Sequence, residues 1–154
     1  MNRVRITAFT LVCALLLGTA QASFFLGVPL ATELKGQNST AYLGLQVGTY
    51  DLGSGFRLRG RLEVLPPLGR ERGMQLGGEL LYSRGESSVF YLGAGGGYAA
   101  YNSAKSLFVS GTVGLNIDAA SLVSVFLEAQ PRYDLDRETI GLYLSGGLNF
   151  HFGQ

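Results

Sequence analysis

Residues 55–65, GFRLRGRLEVL, constrain the fold more than any other stretch of the chain. Successive side chains of a β-strand point to opposite faces. As a strand, this segment sets Phe56, Leu58, Leu62 and Val64 on one side and Arg57, Arg59, Arg61 and Glu63 on the other. It therefore asks for an apolar medium on one face and a polar, charge-compatible space on the other. A helix would need apolar residues to recur at three and four positions, and here they recur at two.

The same alternation returns along the chain and predicts eight strands, over 24–31, 40–50, 55–65, 74–82, 88–98, 106–116, 122–133 and 140–152. In the second, Ala41, Leu43, Leu45 and Val47 oppose Tyr42, Gly44, Gln46 and Gly48. In the last, Ile140, Leu142, Leu144, Leu148, Phe150 and Phe152 oppose Gly141, Tyr143, Ser145, Gly147, Asn149 and His151. Turn-forming residues mark connections at 33–39, 51–55, 66–72, 84–86, 102–105, 118–121 and 134–138. Pro29 cannot donate a ladder hydrogen bond, so it is expected near the end of the first strand or at a bulge.

Residues 1–22 have the form of an export signal. Arg3 and Arg5 precede an apolar run over 6–18, and Ala20-Gln21-Ala22 supplies a small-x-small cleavage site after Ala22. The run is shorter than the roughly 20 residues of a spanning helix. Cys13 lies mid-run behind Val12, which is not the setting for lipid attachment. Cleavage would remove this sole cysteine and with it any disulfide or thiolate ligand. Residues 23–154 would then form one domain with basic and acidic residues nearly balanced, which argues against a nucleic-acid partner.

The chain is 47% hydrophobic, only 15% charged and carries 23 glycines, whereas soluble domains average about a quarter charged residues. Low charge, export and strands near the 9–11 residues that cross a bilayer point to an all-β transmembrane barrel. Eight antiparallel up-and-down strands can close on themselves, and closure is obligatory in lipid, which offers no partner to an open sheet edge. Glycine on the polar faces suits the cramped interior of so small a barrel. The apolar faces are therefore expected to meet lipid, and the lumen to be plugged by a network of Arg57, Arg59, Arg61, Glu63, Gln75, Glu79, Glu128, Gln130 and Arg132. If the third and fourth strands pair about Gly69, Arg59 falls opposite Glu79 and Glu63 opposite Gln75. Outward Gly60, Gly78 and Gly111 offer close approach to a partner wall, although a monomer is expected. Tyr82, Tyr98, Phe56, Phe150 and Phe152 near strand ends are candidates for interfacial aromatic girdles.

Taken together, the eight alternating segments and the closing Gly147-Leu148-Asn149-Phe150-His151-Phe152 resemble the small eight-stranded outer-membrane barrels of the OmpA transmembrane-domain and OmpX type. In that family a terminal glycine-x-x-aromatic-x-aromatic pattern is read by the barrel-assembly machinery, which the resemblance assigns here to Gly147, Phe150 and Phe152. Two features depart from the pattern: Gly153 and Gln154 follow the last phenylalanine, and Gly146 stands where a polar residue is usual. The resemblance implies periplasmic termini, short external loops, periplasmic chaperones during biogenesis, residence in outer-membrane lipid and a structural or envelope-integrity role. Any conduction is expected to be of small ions, through rearrangement of the arginine and glutamate network, since an open solute channel needs roughly twice as many strands.

No enzyme and no cofactor is expected. His151 is the single histidine, too little for a metal site, and Gly153 stands where lipid A deacylases of this size carry the serine of a His-x-Ser pair. Gly93 to Gly97 lack the lysine and helix of a phosphate loop. The alternative from another class is a soluble periplasmic barrel holding a small apolar ligand inside, as lipocalins do.

Overall fold

The computed structural model describes residues 23–36, 38–49, 52, 55–66, 72–83, 90–102 and 104–153. The segment 1–22 read as an export signal, the turn expected at 84–86 and most of those expected at 51–55 and 66–72 lie outside the described residues. The strands are β1 (Phe24–Lys35), β2 (Asn38–Thr49), β3 (Phe56–Val64), β4 (Gly73–Tyr82), β5 (Phe90–Tyr101), β6 (Ala104–Ala120), β7 (Val123–Asp134) and β8 (Thr139–Phe152). Each pairs antiparallel with the next, and β8 returns to β1 with Phe24 opposite Phe152, closing an up-and-down barrel. Every strand thereby has a hydrogen-bonded neighbour on both sides and the sheet has no open edge strand, as a lipid surrounding requires.

All eight alternating segments are strands, but several run longer than local turn chemistry suggests. The loop expected over 33–39 is mostly strand: Lys35 pairs with Asn38, and Gly36 makes the reversal at φ 62°. Residues 102–105 likewise shrink to a tight connection, because Tyr101 pairs with Ala104. Through the expected turn at 118–121, β6 continues to Ala120 with a register shift between Asp118 and Ala120. A neighbouring strand already in place outweighs the local preferences of Glu, Asn and Ser.

Pro29 corrects its expectation. It lies inside β1, buried and facing the lumen, without a bulge. Register is constant from Gly27↔Gln46 to Leu30↔Leu43, and only the two intervening pairs are missing from the β1–β2 ladder. The other side of Pro29 keeps its partner, Gly147. Pro131 in β7 repeats the device, for the β6–β7 ladder skips between Ser110↔Arg132 and Val113↔Ala129 while Pro131 still pairs with Leu142. Glycine stands across both gaps: Gly44 by Pro29 and Gly111 by Pro131. A ring that donates no hydrogen bond is accommodated where the facing residue has no side chain.

Facing follows the period of two throughout. Outward residues such as Leu30 and Leu45, each 63% exposed, are the large aliphatics, whereas Arg59, Arg61, Glu63, Gln75, Glu128, Gln130 and Arg132 are buried inside. This inverts the pattern of a water-soluble protein. Aromatic rings crowd the rim that carries the termini, with Phe24 stacked on Phe152 at 5.1 Å and Phe56 against Tyr82 at 5.0 Å between ring centroids.

Inward glycines lie beneath the largest lumen side chains. Gly44 underlies Glu63, Gly48 underlies Phe25, Gly114 underlies Tyr91 and Gly97 underlies Phe108. A methyl on Gly97 would sit 2.7 Å from Phe108 Cζ and 2.8 Å from Gly77 Cα. Gly97→Ala is therefore expected to destabilise the barrel by about 1–3 kcal/mol. On the outer wall Gly60, Gly78 and Gly96 form a row across β3, β4 and β5. A methyl on Gly60 meets only Val47 Cγ1, at 3.9 Å. Gly60→Ala should be neutral or stabilising by up to about 1 kcal/mol. Denaturant unfolding of both variants in lipid vesicles checks the contrast, and equal losses would contradict it.

Candidate functional site

Among the described residues the eight strands enclose a lumen, and charge fills its middle. Because Arg59 and Arg61 are inward neighbours on β3, their guanidiniums enter the lumen together. Register places Arg59 directly opposite Glu79 and Glu63 opposite Gln75. Arg59 donates from Nε to Glu79 Oε2 at 2.8 Å and from Nη2 to the same oxygen at 2.5 Å. Its Nη1 reaches Glu128 Oε1. Arg61 Nη2 meets Glu128 Oε2 at 2.5 Å, and its Nη1 lies 3.7 Å from Glu63 Oε1.

Glu128 projects from β7, four strands from β3 in either direction around the barrel. These ion pairs therefore cross the full width of the lumen. Neutral groups saturate the carboxylates: Thr112 Oγ1 donates to Glu79 at 2.6 Å, Ser145 Oγ to Glu128 at 3.1 Å, and Gln130 Nε2 to both, at 3.0 and 3.2 Å. The Tyr91 hydroxyl also donates to Glu128. Gln46 accepts from Arg61 at 2.9 Å. Every strand from β2 to β8 contributes to one continuous network, with Glu128, whose side chain is wholly buried, at its centre.

Toward the rim remote from the termini, Arg132 donates to Gln75 Oε1 at 2.8 Å and Gln130 Oε1 at 2.9 Å. Its guanidinium lies over the Tyr143 ring, 3.4 Å from the centroid, and 4.7 Å from that of Phe108. Above it, Tyr42, Tyr101 and Glu33 form a hydrogen-bonded cluster. Arg57, one inward step nearer the termini than Arg59, is half-buried opposite Leu81.

Of the residues expected in the lumen, the structure joins Arg59, Arg61, Glu63, Glu79, Glu128 and Gln130 at mid-height and links Gln75 and Arg132 to them from above. Sequence reading missed Gln46, Tyr91, Thr112 and Ser145 as members. Their inward parity was legible, but partners on non-adjacent strands were not.

At the other end of the lumen, fold alone brings His151 to Ser124, Nε2 to Oγ 2.8 Å. The Ser124 hydroxyl donates to Asn116 Oδ1 at 2.8 Å, so the imidazole is the donor to the serine oxygen. Ser124 is also completely buried. A nucleophile–base pair needs the reverse polarity and an accessible oxygen. Among the described residues no group of three or more His, Cys, Asp or Glu is placed to hold a metal ion. Gly147 faces inward against Phe126, while Phe150 and Phe152 lie outward at the end of β8, beside the β1 seam.

An apolar outer wall, full closure and a charged interior define a small transmembrane β-barrel. No family model matches the chain, and no curated protein matches it. Solved structures do. The N-terminal β-barrel domain of Pseudomonas aeruginosa OprF superposes with a TM-score of 0.66 at 14% identity, over 86% of this chain and 98% of that one. Neisserial surface protein A gives 0.61 at 14% identity, over 86% and 98%. The outer membrane protein OprG of Pseudomonas aeruginosa gives 0.55 at 13% identity, over 86% and 97%. The chain has the fold of the eight-stranded outer-membrane β-barrels. At such identities the likeness speaks of fold alone.

Proposed function

We propose that this protein is an exported, integral outer-membrane barrel with a structural role in the envelope, its lumen closed to solutes. The observation that carries the reading is the cross-lumen cluster of Arg59, Arg61, Glu79 and Glu128. It fills mid-height with paired charges and leaves beside it a void of about 10 Å³, the space of one water. Transit of anything larger than a small ion would require separating buried, mutually neutralising charges. An open solute channel needs roughly twice as many strands. The outward aliphatics, the rim aromatics and the export signal over 1–22 support residence in the outer membrane. The pattern at Gly147, Phe150 and Phe152 supports delivery by the barrel-assembly machinery, with periplasmic chaperones before it.

The soluble lipocalin-like alternative asks for an apolar interior and a polar exterior, and the observed wall has the opposite sense. Planar-bilayer recording of the refolded protein tests the proposal together with fractionation. Retention in carbonate-washed membranes, boiling-dependent gel migration and no conductance steps on the scale of general porins are expected. Porin-scale steps would overturn the closed lumen, and release by carbonate would overturn the membrane assignment.

A further inference from the structure

The end of the lumen remote from the termini opens as a polar cup of about 270 Å³. Among the described residues, two charged groups in its lining have no opposite charge within ion-pair distance. Glu33 accepts hydrogen bonds on Oε2 from the hydroxyls of Tyr42 at 3.0 Å and Tyr101 at 3.4 Å. Among the described residues no lysine or arginine is within ion-pair distance of it, and its Oε1 accepts no hydrogen bond. Arg132, only 7% exposed, gives its hydrogen bonds to the neutral amides of Gln75 and Gln130. Of the five N–H donors of a guanidinium, three have no acceptor among the described residues. The other ionic groups of the cup satisfy one another, since Lys35 and Arg137 both reach Asp134, at 3.4 and 3.9 Å.

Arg132 is a charge drawn out of water without a counter-charge, which is costly, Glu33 is half-buried in the cup wall, and charge-assisted hydrogen bonds are the strong ones. The cup is therefore incomplete in a defined way. A small cation would answer Glu33 and leave Arg132 unmatched, and a small anion would do the converse. One molecule with an ammonium and a carboxylate answers both. Its size is limited too, for the volume sits just below the lower bound of about 300 Å³ for typical ligand pockets. We propose that this cup binds a small zwitterion of the free α-amino acid kind, its ammonium at Glu33 and the two tyrosine hydroxyls, its carboxylate at Arg132. The charge cluster beneath makes the cup a blind binding site. The inference does not rest on the structural role proposed above.

Titration of tyrosine-labelled protein, refolded in detergent micelles and followed by NMR, tests it. The probes are glycine, L-alanine and L-serine, with propionate and ethylammonium as half-ligands. Saturable shifts of the Tyr42 and Tyr101 resonances are expected with at least one amino acid, with Kd of roughly 1 mM or below. Each half-ligand should bind at least about tenfold more weakly, and Glu33→Gln and Arg132→Met should each cost at least about tenfold. The methionine keeps an apolar stem between Tyr143 and Phe108, and should Arg132→Met not refold, Glu33→Gln with the half-ligands decides alone. No saturation by any of the three amino acids, ethylammonium or propionate binding as tightly as they do, or unchanged affinity in Glu33→Gln would overturn the proposal. Loss of binding with membrane fractionation unchanged separates failure here from failure of the structural reading.

Discussion

Glu128→Gln lowers the stability of the barrel by about 3–5 kcal/mol, the expected cost of leaving a buried charge without its partner. The side chain keeps its shape but loses its charge, and one of its two acceptor oxygens becomes an NH2 donor. Glu128 is the common acceptor for Arg59 and Arg61, and its side chain is wholly shielded from solvent. Without it Arg59 keeps Glu79, but the one carboxylate left to Arg61 is Glu63, at the longer distance of 3.7 Å. Urea unfolding in phospholipid vesicles measures the loss, and a change below about 1 kcal/mol would show that water replaces the carboxylate. Arg59 and Glu79 should show a coupling of at least about 1 kcal/mol in a double-mutant cycle in the same assay. The ion pairs need not make the barrel more stable than an apolar plug would. Their loss is costly because the surviving guanidiniums have nowhere to go.

Leu45→Arg is the complementary experiment on the other face. Leu45 lies in the central part of β2, outward and paired with Leu62. An arginine facing lipid near the bilayer midplane costs about 2–4 kcal/mol. If this face met water instead, replacing a leucine that is 63% exposed would leave stability unchanged or raise solubility. Vesicle unfolding of Leu45→Arg beside the unmodified protein therefore reports which solvent surrounds the wall. A null effect would remove the basis for placing this chain in a membrane.

The Arg57–Glu63 segment shows how far sequence reading reaches. Alternation at a period of two fixed its facing, because a one-residue slip would exchange arginines for leucines across the whole strand. The expected pairing of the third and fourth strands about Gly69 carried that parity into β4, so the observed pairing of Arg59 with Glu79 was open to sequence reasoning. Pro29 shows where it stops. Whether a proline can sit inside a strand depends on what faces it, and Gly44 belongs to another strand.

By itself, then, the sequence determined eight strands, the side each residue presents and which side is apolar, since these follow from a local two-residue repeat and from the cost of charge in hydrocarbon. Tertiary structure alone decided that Glu128 spans the lumen to Arg59 and Arg61, that His151 meets Ser124, and that Glu33 and Arg132 share one cup without neutralising each other. Such contacts join strands that are not neighbours, across an interior whose width and stagger exist only once β8 has closed on β1. No local pattern encodes a distance that closure creates.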